Sequence, residues 1–175
     1  ETVPRYTIEV ALLNDLATLT LDTSGAGLHK RGYRRLGGPA PLKETLAAAM
    51  VLLSRWCPDR PLIDPLCGSG TLPIEAALIG LNLAPGLKRT FAAENWPVVP
   101  EVLWARAADL VQRSRPVRVL GSDINGEVLG LARCHARQAG VAENAFFQKL
   151  PVSELRSAQK YGYLVCNPPY GERMG

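Results

Sequence analysis

Three short stretches of this 175-residue sequence hold residue types that could do chemistry. The most informative is Asn167-Pro168-Pro169-Tyr170. An exocyclic amine on a nucleobase is a poor nucleophile, because its lone pair is delocalised into the ring. Two acceptors aimed at its hydrogens help keep that lone pair directed at an electrophile. The Asn167 side-chain oxygen and the Pro168 backbone carbonyl can supply them. Pro168 and Pro169 stiffen the loop that aims these acceptors, and Tyr170 can stack on the base. Such a site works by positioning and electrostatics, with no covalent step on the protein. Standing alone, the same residues would also make a Pro-rich turn after a strand.

The second stretch is Asp64-Pro65-Leu66-Cys67-Gly68-Ser69-Gly70, read as lying between a strand and a helix. Gly68 and Gly70 permit a tight turn and close approach of a ligand, and the following helix offers unpaired amides at its N-terminus. No Gly-Lys-Ser/Thr follows, so this is not a phosphate loop, and it is not a full G-x-G-x-x-G. A nucleotide-like ligand suits it; so does a plain tight turn. The third is Asp123, at the end of the next buried strand. An acid there can accept from both hydroxyls of a ribose, with Ile124 beside it to pack on an adenine face, or it can simply cap a helix. Asp123 follows Asp64 at far more than the ~20 residues of a simple dinucleotide fold, so residues 83–113 must be an insertion.

The elements that would position these residues follow from pattern. Residues 5–13 and 16–22 alternate around Asn14-Asp15 and predict a β-hairpin. A Gly-rich basic stretch runs from Thr23 to Gly38. Leu42, Leu46, Ala49, Met50 and Leu53 share one face at helical spacing. Pro61-Leu62-Ile63 leads a buried strand into the Gly-rich turn, and residues 71–81 predict a helix with Pro73 in its first turn. A further helix, read as core or sheet cover around Trp104, is expected over 101–113. Val117 to Leu120 predicts a second buried strand, ending in Gly121-Ser122-Asp123. Asn125 caps a helix over 127–139 that Gly140 ends, and His135 on its face is read as structural. Residues 145–149 and 161–166 are the remaining strands. Alternating strands and helices argue for an α/β domain with a mostly parallel sheet.

Composition sets bounds. The sequence is 47% hydrophobic and 21% charged, which fits a soluble globular class. No apolar run reaches the ~20 residues of a membrane span, and no signal peptide is evident. The missing initiator Met suggests a piece of a longer chain. The net charge of +4 permits a polyanionic partner without demanding one. The four cysteines, Cys57, Cys67, Cys134 and Cys166, form no C-x-x-C pair, and His29 and His135 are the two histidines. That argues against zinc or another metal and for buried free thiols in a reducing cytoplasm.

Taken together and in this order, the three stretches resemble the class I S-adenosylmethionine-dependent methyltransferases that methylate amines. Within these, the sequence resembles the bacterial RNA guanine-N2 methyltransferases that carry a THUMP domain. The closer likeness rests on Asp22-Thr23-Ser24-Gly25, on His29-Lys30-Arg31-Gly32-Tyr33-Arg34, and on residues 40–47 (APLKETLA). Residues 64–76 (DPLCGSGTLPIEA) and 167–175 (NPPYGERMG) complete it. Ala84-Pro85-Gly86 with Phe91 and Trp96 is similar to that family's insertion after the first helix.

The resemblance implies a fold and roles. It implies a Rossmann-like class I methyltransferase sheet with helices on both faces, preceded by the hairpin. Residues 1–38 would be hairpin and basic linker, and residues 39–175 the N-terminal part of the methyltransferase domain. S-adenosyl-L-methionine would be held by Asp64, Pro65, Cys67, Gly68, Ser69 and Gly70, with Asp123, Ile124 and Asn125 at the ribose and adenine. Pro41, Leu42, Lys43, Glu44 and Thr45 would close the pocket, and Asn167, Pro168, Pro169 and Tyr170 would hold the base, with Asn167 also touching the cofactor. The family usually places an Asp after the third strand for the adenine amino group; here Phe147-Gln148-Lys149-Leu150-Pro151 stands there, and Gln148 or a backbone group is the replacement.

Lys30, Arg31, Arg34 and Arg35 are candidate RNA-phosphate contacts, or else a solvated loop. The target implied is guanine N2, in 23S ribosomal RNA ahead of transfer RNA. The alternatives are a DNA N6-adenine methyltransferase and a non-catalytic RNA-binding module. Four strand candidates, where such a domain has seven, and no THUMP domain in front lead to the expectation of a chain cut at both ends and inactive by itself.

Overall fold

The computed structural model describes residues 4–34, 42–109, 117–158 and 160–169. Strand β1 (Thr7–Leu13) turns directly into β2 (Leu16–Asp22). Asn14 and Asp15 make the turn with φ of 49° and 60°, the left-handed pair that a two-residue hairpin turn needs and that Asn and Asp tolerate. The register runs from Thr7 opposite Asp22 to Leu13 opposite Leu16. Alternation puts Ile8, Val10, Leu12, Leu19 and Leu21 on one face, and all five are exposed. A lone hairpin is marginal in water. This one is tied at its base, where Trp96 Nε1 donates to the Arg5 carbonyl at 3.0 Å and the Trp96 ring lies 4.8 Å from that of Tyr6.

Strands β3 (Leu62–Asp64), β4 (Val119–Asp123), β5 (Ala145–Lys149) and β6 (Tyr163–Leu164) form a parallel sheet in the order β5-β4-β3-β6. The chain steps outward from β3 to β5 and then returns to the other side of β3. Such a reversal opens a crevice at the carboxyl ends of the two strands it separates. Leu62, Val119 and Ala145 stand in register on one face and pack with residues of α2 (Thr71–Gly80) and α4 (Gly126–Ala139). Helix α2 is buried almost all round, between the sheet and α1 (Glu44–Leu53). Asn125 caps α4 by accepting from the Glu127 amide at 2.9 Å, and Gly140 ends it at φ 80°, both for the local reasons read in the sequence.

Ile63, Leu120 and Phe146, in register on the opposite sheet face, border an open hollow of about 300 Å³ with Arg118 and Arg156. Among the described residues, α2 and α4 pack on the Leu62 side of the sheet. Some local expectations need correction. Helix α3 (Glu101–Asp109) is not sheet cover: Glu101 to Arg106 are exposed apart from Trp104, which stacks on Phe91 at 5.7 Å. The face of α1 that turns inward is Glu44, Ala47 and Val51, whereas Leu46 and Leu53 are 53% and 83% exposed. This helix is apolar on nearly every side, so periodicity alone could not select the inner stripe. Strand β6 is two residues, not six, because Tyr161 takes a left-handed φ of 63° and turns the chain just before it. Of the thiols Cys67 is buried, Cys134 and Cys166 half-buried, and Cys57 exposed.

Candidate functional site

Because the sheet is parallel, β3, β4 and β6 deliver their carboxyl ends to one edge. Asp64 ends β3, Asp123 ends β4, and the Val165 amide continues the β6 pairing by donating to the Ile63 carbonyl at 3.0 Å. Asn167 follows two residues on, flanking the crevice. It is half-buried and Pro168 and Pro169 are exposed, and no described residue hydrogen-bonds to the Asn167 side chain. Tyr170 lies outside the described residues, as do Pro41 and Arg35.

The turn after β3 is built for close approach. Gly68 and Gly70 have φ of 52° and 84°. A Cβ on Gly70 would stand 2.9 Å from both Ala132 Cβ and the Phe147 ring, so this glycine lets the turn seat against α4 and β5. A Cβ on Gly68 would meet nothing within 4 Å; it borders open space. The Cys67 amide donates to the Ser122 carbonyl at 2.9 Å and the Gly70 amide to the Cys67 carbonyl at 2.9 Å. Ser69 is half-buried, and its carbonyl lies 3.2 Å from His135 Nδ1. The buried His135 thus supports the turn from α4, the structural role read for it.

Electrostatics single out two acids. Asp64 is 2% exposed, and its Oδ1 accepts from the Leu66 amide at 3.1 Å. Burial raises its pKa to about 7, with the Leu66 bond opposing and the Asp123 charge reinforcing the rise. Burial, with the same two charges, also holds the Cys67 thiol protonated. Burial and the Asp64 charge raise the Cys166 thiol, one residue before Asn167. Asp123 is half-buried; its Oδ2 accepts from the Gly68 amide and its Oδ1 from the Asn125 amide, both at 2.9 Å. The helix cap is therefore Asn125, whose side-chain oxygen is spent on Glu127, and Asp123 instead joins β4 to the Gly-rich turn. Ile124 is exposed beside it. Gln148 is exposed and pairs with Ser122, while Lys149 sits opposite Asp123 and the Leu150 amide donates to the Asp123 carbonyl at 3.1 Å.

The residues ahead of the sheet behave differently from expectation. Lys43 and Thr45 are exposed and Leu42 half-buried at the start of α1, but Glu44 is 4% exposed and turned inward. Arg31 and Arg34 are not displayed to solvent. Arg31 Nη2 pairs with Glu75 Oε2 at 3.4 Å, and Arg34 Nη1 with Glu44 Oε1 at 3.4 Å. Arg34 Nη2 also donates to the Leu42 carbonyl at 3.2 Å and to the Thr71 hydroxyl. Tyr33 donates to Glu75 Oε1 at 3.0 Å, its phenol held protonated by burial and by the charges of Glu75 and Glu44. Burial raises the Glu75 carboxyl, and Arg31 pulls it back. Two buried acids without cations would be costly, so these arginines are committed to the interior. Lys30 stays exposed.

Sequence reasoning missed this network, and it missed Arg89. The Arg89 guanidinium reaches the carbonyls of Gly27 and Ser24 at 2.9 Å each and that of Ala26, and it lies over the Phe91 ring at 4.8 Å. Partners so distant along the chain leave no local pattern to read. Among the described residues no group of His, Cys, Asp and Glu could hold a metal ion, and no helix is long and apolar enough to cross a membrane.

A parallel sheet of this order, with a Gly-rich turn after its first strand, an acid after its second and the Asn-Pro-Pro loop after the strand beyond the reversal, is the fold of a class I methyltransferase. The chain belongs to the family of the RMKL-like methyltransferase domain, which matches residues 31–175. It is 47% identical over 179 residues to YpsC of Bacillus subtilis (strain 168), provisionally named an RNA methyltransferase, covering 100% of this chain and 46% of YpsC. It is 42% identical over 180 residues to the ribosomal RNA large subunit methyltransferase K/L of Legionella pneumophila (strain Corby), covering 98% and 26%. A crystal structure from Listeria monocytogenes str. 4b F2365, described as a predicted N6-adenine-specific DNA methylase, matches with TM-score 0.92 and 49% identity, covering 99% of this chain and 47% of that one. The structure of SMU.472, provisionally a methyltransferase and complexed with SAH, matches with TM-score 0.88 and 44% identity, covering 99% and 46%. The chain thus spans less than half the length of these proteins.

Proposed function

We propose that this chain forms the cofactor side and the base-amine loop of an S-adenosyl-L-methionine-dependent N-methyltransferase acting on RNA, with guanine N2 of ribosomal RNA as its target. The observation that carries the reading is the meeting of the Gly68–Gly70 turn, Asp123 and Asn167-Pro168 at one end of three adjacent parallel strands. The names of the B. subtilis and L. pneumophila relatives support RNA, and the latter supports ribosomal RNA. The SAH bound in SMU.472 supports the cofactor.

The residues fit that cofactor. Gly68 leaves open space where a ligand would pass, and Asp64 and Asp123 provide carboxylates for a cationic ligand. When bound, the cofactor supplies a methyl group on a positively charged sulfur. The Gly68–Gly70 turn and Asp64 hold its amino-acid end, Asp123 accepts from its ribose hydroxyls, and Ile124 covers its adenine. Asn167 Oδ1 and the Pro168 carbonyl accept the two N–H bonds of the target amine and hold its lone pair toward the cofactor side of the crevice. Methyl transfer would break the methyl–sulfur bond, leave SAH, and release one of those protons to water. Tyr170 stacks on the base, and residues 42–45 with Pro41 close the pocket. Lys30 and Arg35 are the remaining candidates for RNA phosphate.

One observation favours a second reading, methylation of adenine N6 in DNA: the description of the Listeria structure. Methyl transfer from labelled cofactor by the full-length protein, with total RNA and with DNA, separates the two. The RNA reading expects N2-methylguanosine in digested RNA and its loss in Asn167→Ala with cofactor binding retained. N6-methyladenine in DNA supports the second reading, and RNA retention with no transfer to either substrate supports a binding module.

A further inference from the structure

The cofactor reading leaves unexplained why residues 31–34, which touch none of the three motifs, are sunk into the body of the domain. Arg34 reaches two walls of the proposed pocket at once. Its Nη2 donates to the carbonyl of Leu42, in the segment that would close the pocket from above. The same nitrogen donates to the hydroxyl of Thr71, the first residue of α2, directly after Gly70. Its Nη1 is held by Glu44 at 3.4 Å, at the first turn of α1. Thr71 and Glu44 are 5% and 4% exposed, so water competes little for those two contacts. We propose that Arg34 is a positioning residue for the cofactor, one guanidinium that fixes the spacing between the residue 42–45 strap and the Gly-rich turn.

The geometry suits arginine in particular. A planar fork can satisfy a carboxylate and two further oxygens in fixed directions, whereas a lysine ammonium is a point charge on a flexible stem. The rest of the segment aims the fork. Gly32 has φ 90°, and a Cβ there would stand 1.9 Å from the Lys88 carbonyl, so the chain crosses the 84–91 loop at this residue. Tyr33 then anchors on Glu75, in the middle of α2. Anchoring and positioning are thereby separable: Tyr33 holds the segment to α2, and Arg34 alone reaches the pocket walls.

The inference rests on the cofactor reading above, and its test separates the two. In the full-length protein, SAH binding by calorimetry and the KM for S-adenosylmethionine are measured for wild type, Arg34→Lys, Arg34→Met, Thr71→Ser, Thr71→Val and Tyr33→Phe, each with its melting temperature. Arg34→Lys, Arg34→Met and Thr71→Val are expected to weaken SAH binding and raise that KM about tenfold or more, with kcat at saturating cofactor changed by less than about threefold. Thr71→Ser, which keeps the acceptor, restores wild-type affinity. Tyr33→Phe lowers the melting temperature without changing affinity. The double variant Arg34→Met/Thr71→Val shows less than additive loss, as coupled partners must. Wild-type affinity in a folded Arg34→Lys or Thr71→Val, or an equal loss of affinity in Tyr33→Phe, overturns the positioning role. Failure of the wild type to bind SAH overturns the cofactor reading, and this inference with it.

Discussion

The Asp123 carboxylate accepts a hydrogen bond from the Gly68 amide at 2.9 Å, joining the end of β4 to the turn after β3. Its second oxygen is occupied by Asn125. Each oxygen retains a free lone pair, so a ribose hydroxyl can add to this arrangement without displacing it. The carboxylate thus shapes the turn before any ligand arrives.

Replacing it should be felt twice. Asp123→Ala is expected to cost about 1–2 kcal/mol of stability, since two amides lose a charged acceptor at a half-buried site. It should also lower cofactor affinity by about tenfold or more. Denaturant titration and calorimetry on the same preparation measure both; unchanged affinity with reduced stability would leave Asp123 a purely architectural residue.

The two glycines of the turn should differ. Gly70→Ala meets Ala132 and Phe147 at 2.9 Å in a left-handed backbone, and about 1–3 kcal/mol of destabilisation is expected. Gly68→Ala pays the backbone strain but meets nothing, so its melting temperature should fall less while its methyl intrudes on the ligand's space. Thermal melts with and without SAH should show Gly68→Ala nearly native alone and poorly stabilised by ligand.

Asp64 predicts a pH dependence with a definite sign. Its folded pKa of about 7 lies above an ordinary value near 4. Between these values the folded state binds the proton more tightly, so this group's contribution is full below about pH 4, declines as pH rises, and is lost above about 7. Asp64→Asn keeps an acceptor for the Leu66 amide and should flatten the slope, gaining stability relative to wild type as pH rises from about 4 to about 7. A stability difference that stays constant across that range would refute it. The same variant should bind cofactor poorly, a trade of activity for stability.

Arg89→Met should release the loop it collars. Losing the carbonyls of Ser24, Ala26 and Gly27 is expected to cost about 1–3 kcal/mol and to open residues 23–30 to protease well before the sheet unfolds. Simultaneous cleavage of loop and core would show that the collar matters only globally.

What could be read in advance divides by the range of the forces involved. The Asn14-Asp15 turn, the Asn125 cap and the Gly140 stop were legible because their causes are local: a left-handed φ at Asn14, Asp15 and Gly140, and an Asn125 side chain that accepts from the amide two residues on. The Gly-rich turn was legible as a turn, since a left-handed φ and close approach favour glycine. Arg31 and Arg34 misled because their partners, Glu75 and Glu44, are acids whose burial only tertiary structure can reveal; in sequence they look like a basic loop. Helix α1 misled because its apolar residues surround it, so which leucines turn outward is decided by what α2 leaves uncovered. Asp123 fell between: its place at a strand end was legible, its bond to Gly68 was not.

The seat of Trp96 has a practical corollary. Trp96 is 5% exposed, bonded to Arg5 and in ring contact with Tyr6, while Trp56 and Trp104 sit elsewhere in the domain. Detaching the hairpin would strip Trp96 of its hydrogen bond and its aromatic neighbour together and leave the other two indoles as they were. The molecule therefore contains a native optical gauge of hairpin attachment: tyrosine-to-tryptophan energy transfer and a red shift in emission, legible in a protein with Trp56 and Trp104 replaced by phenylalanine and no dye attached.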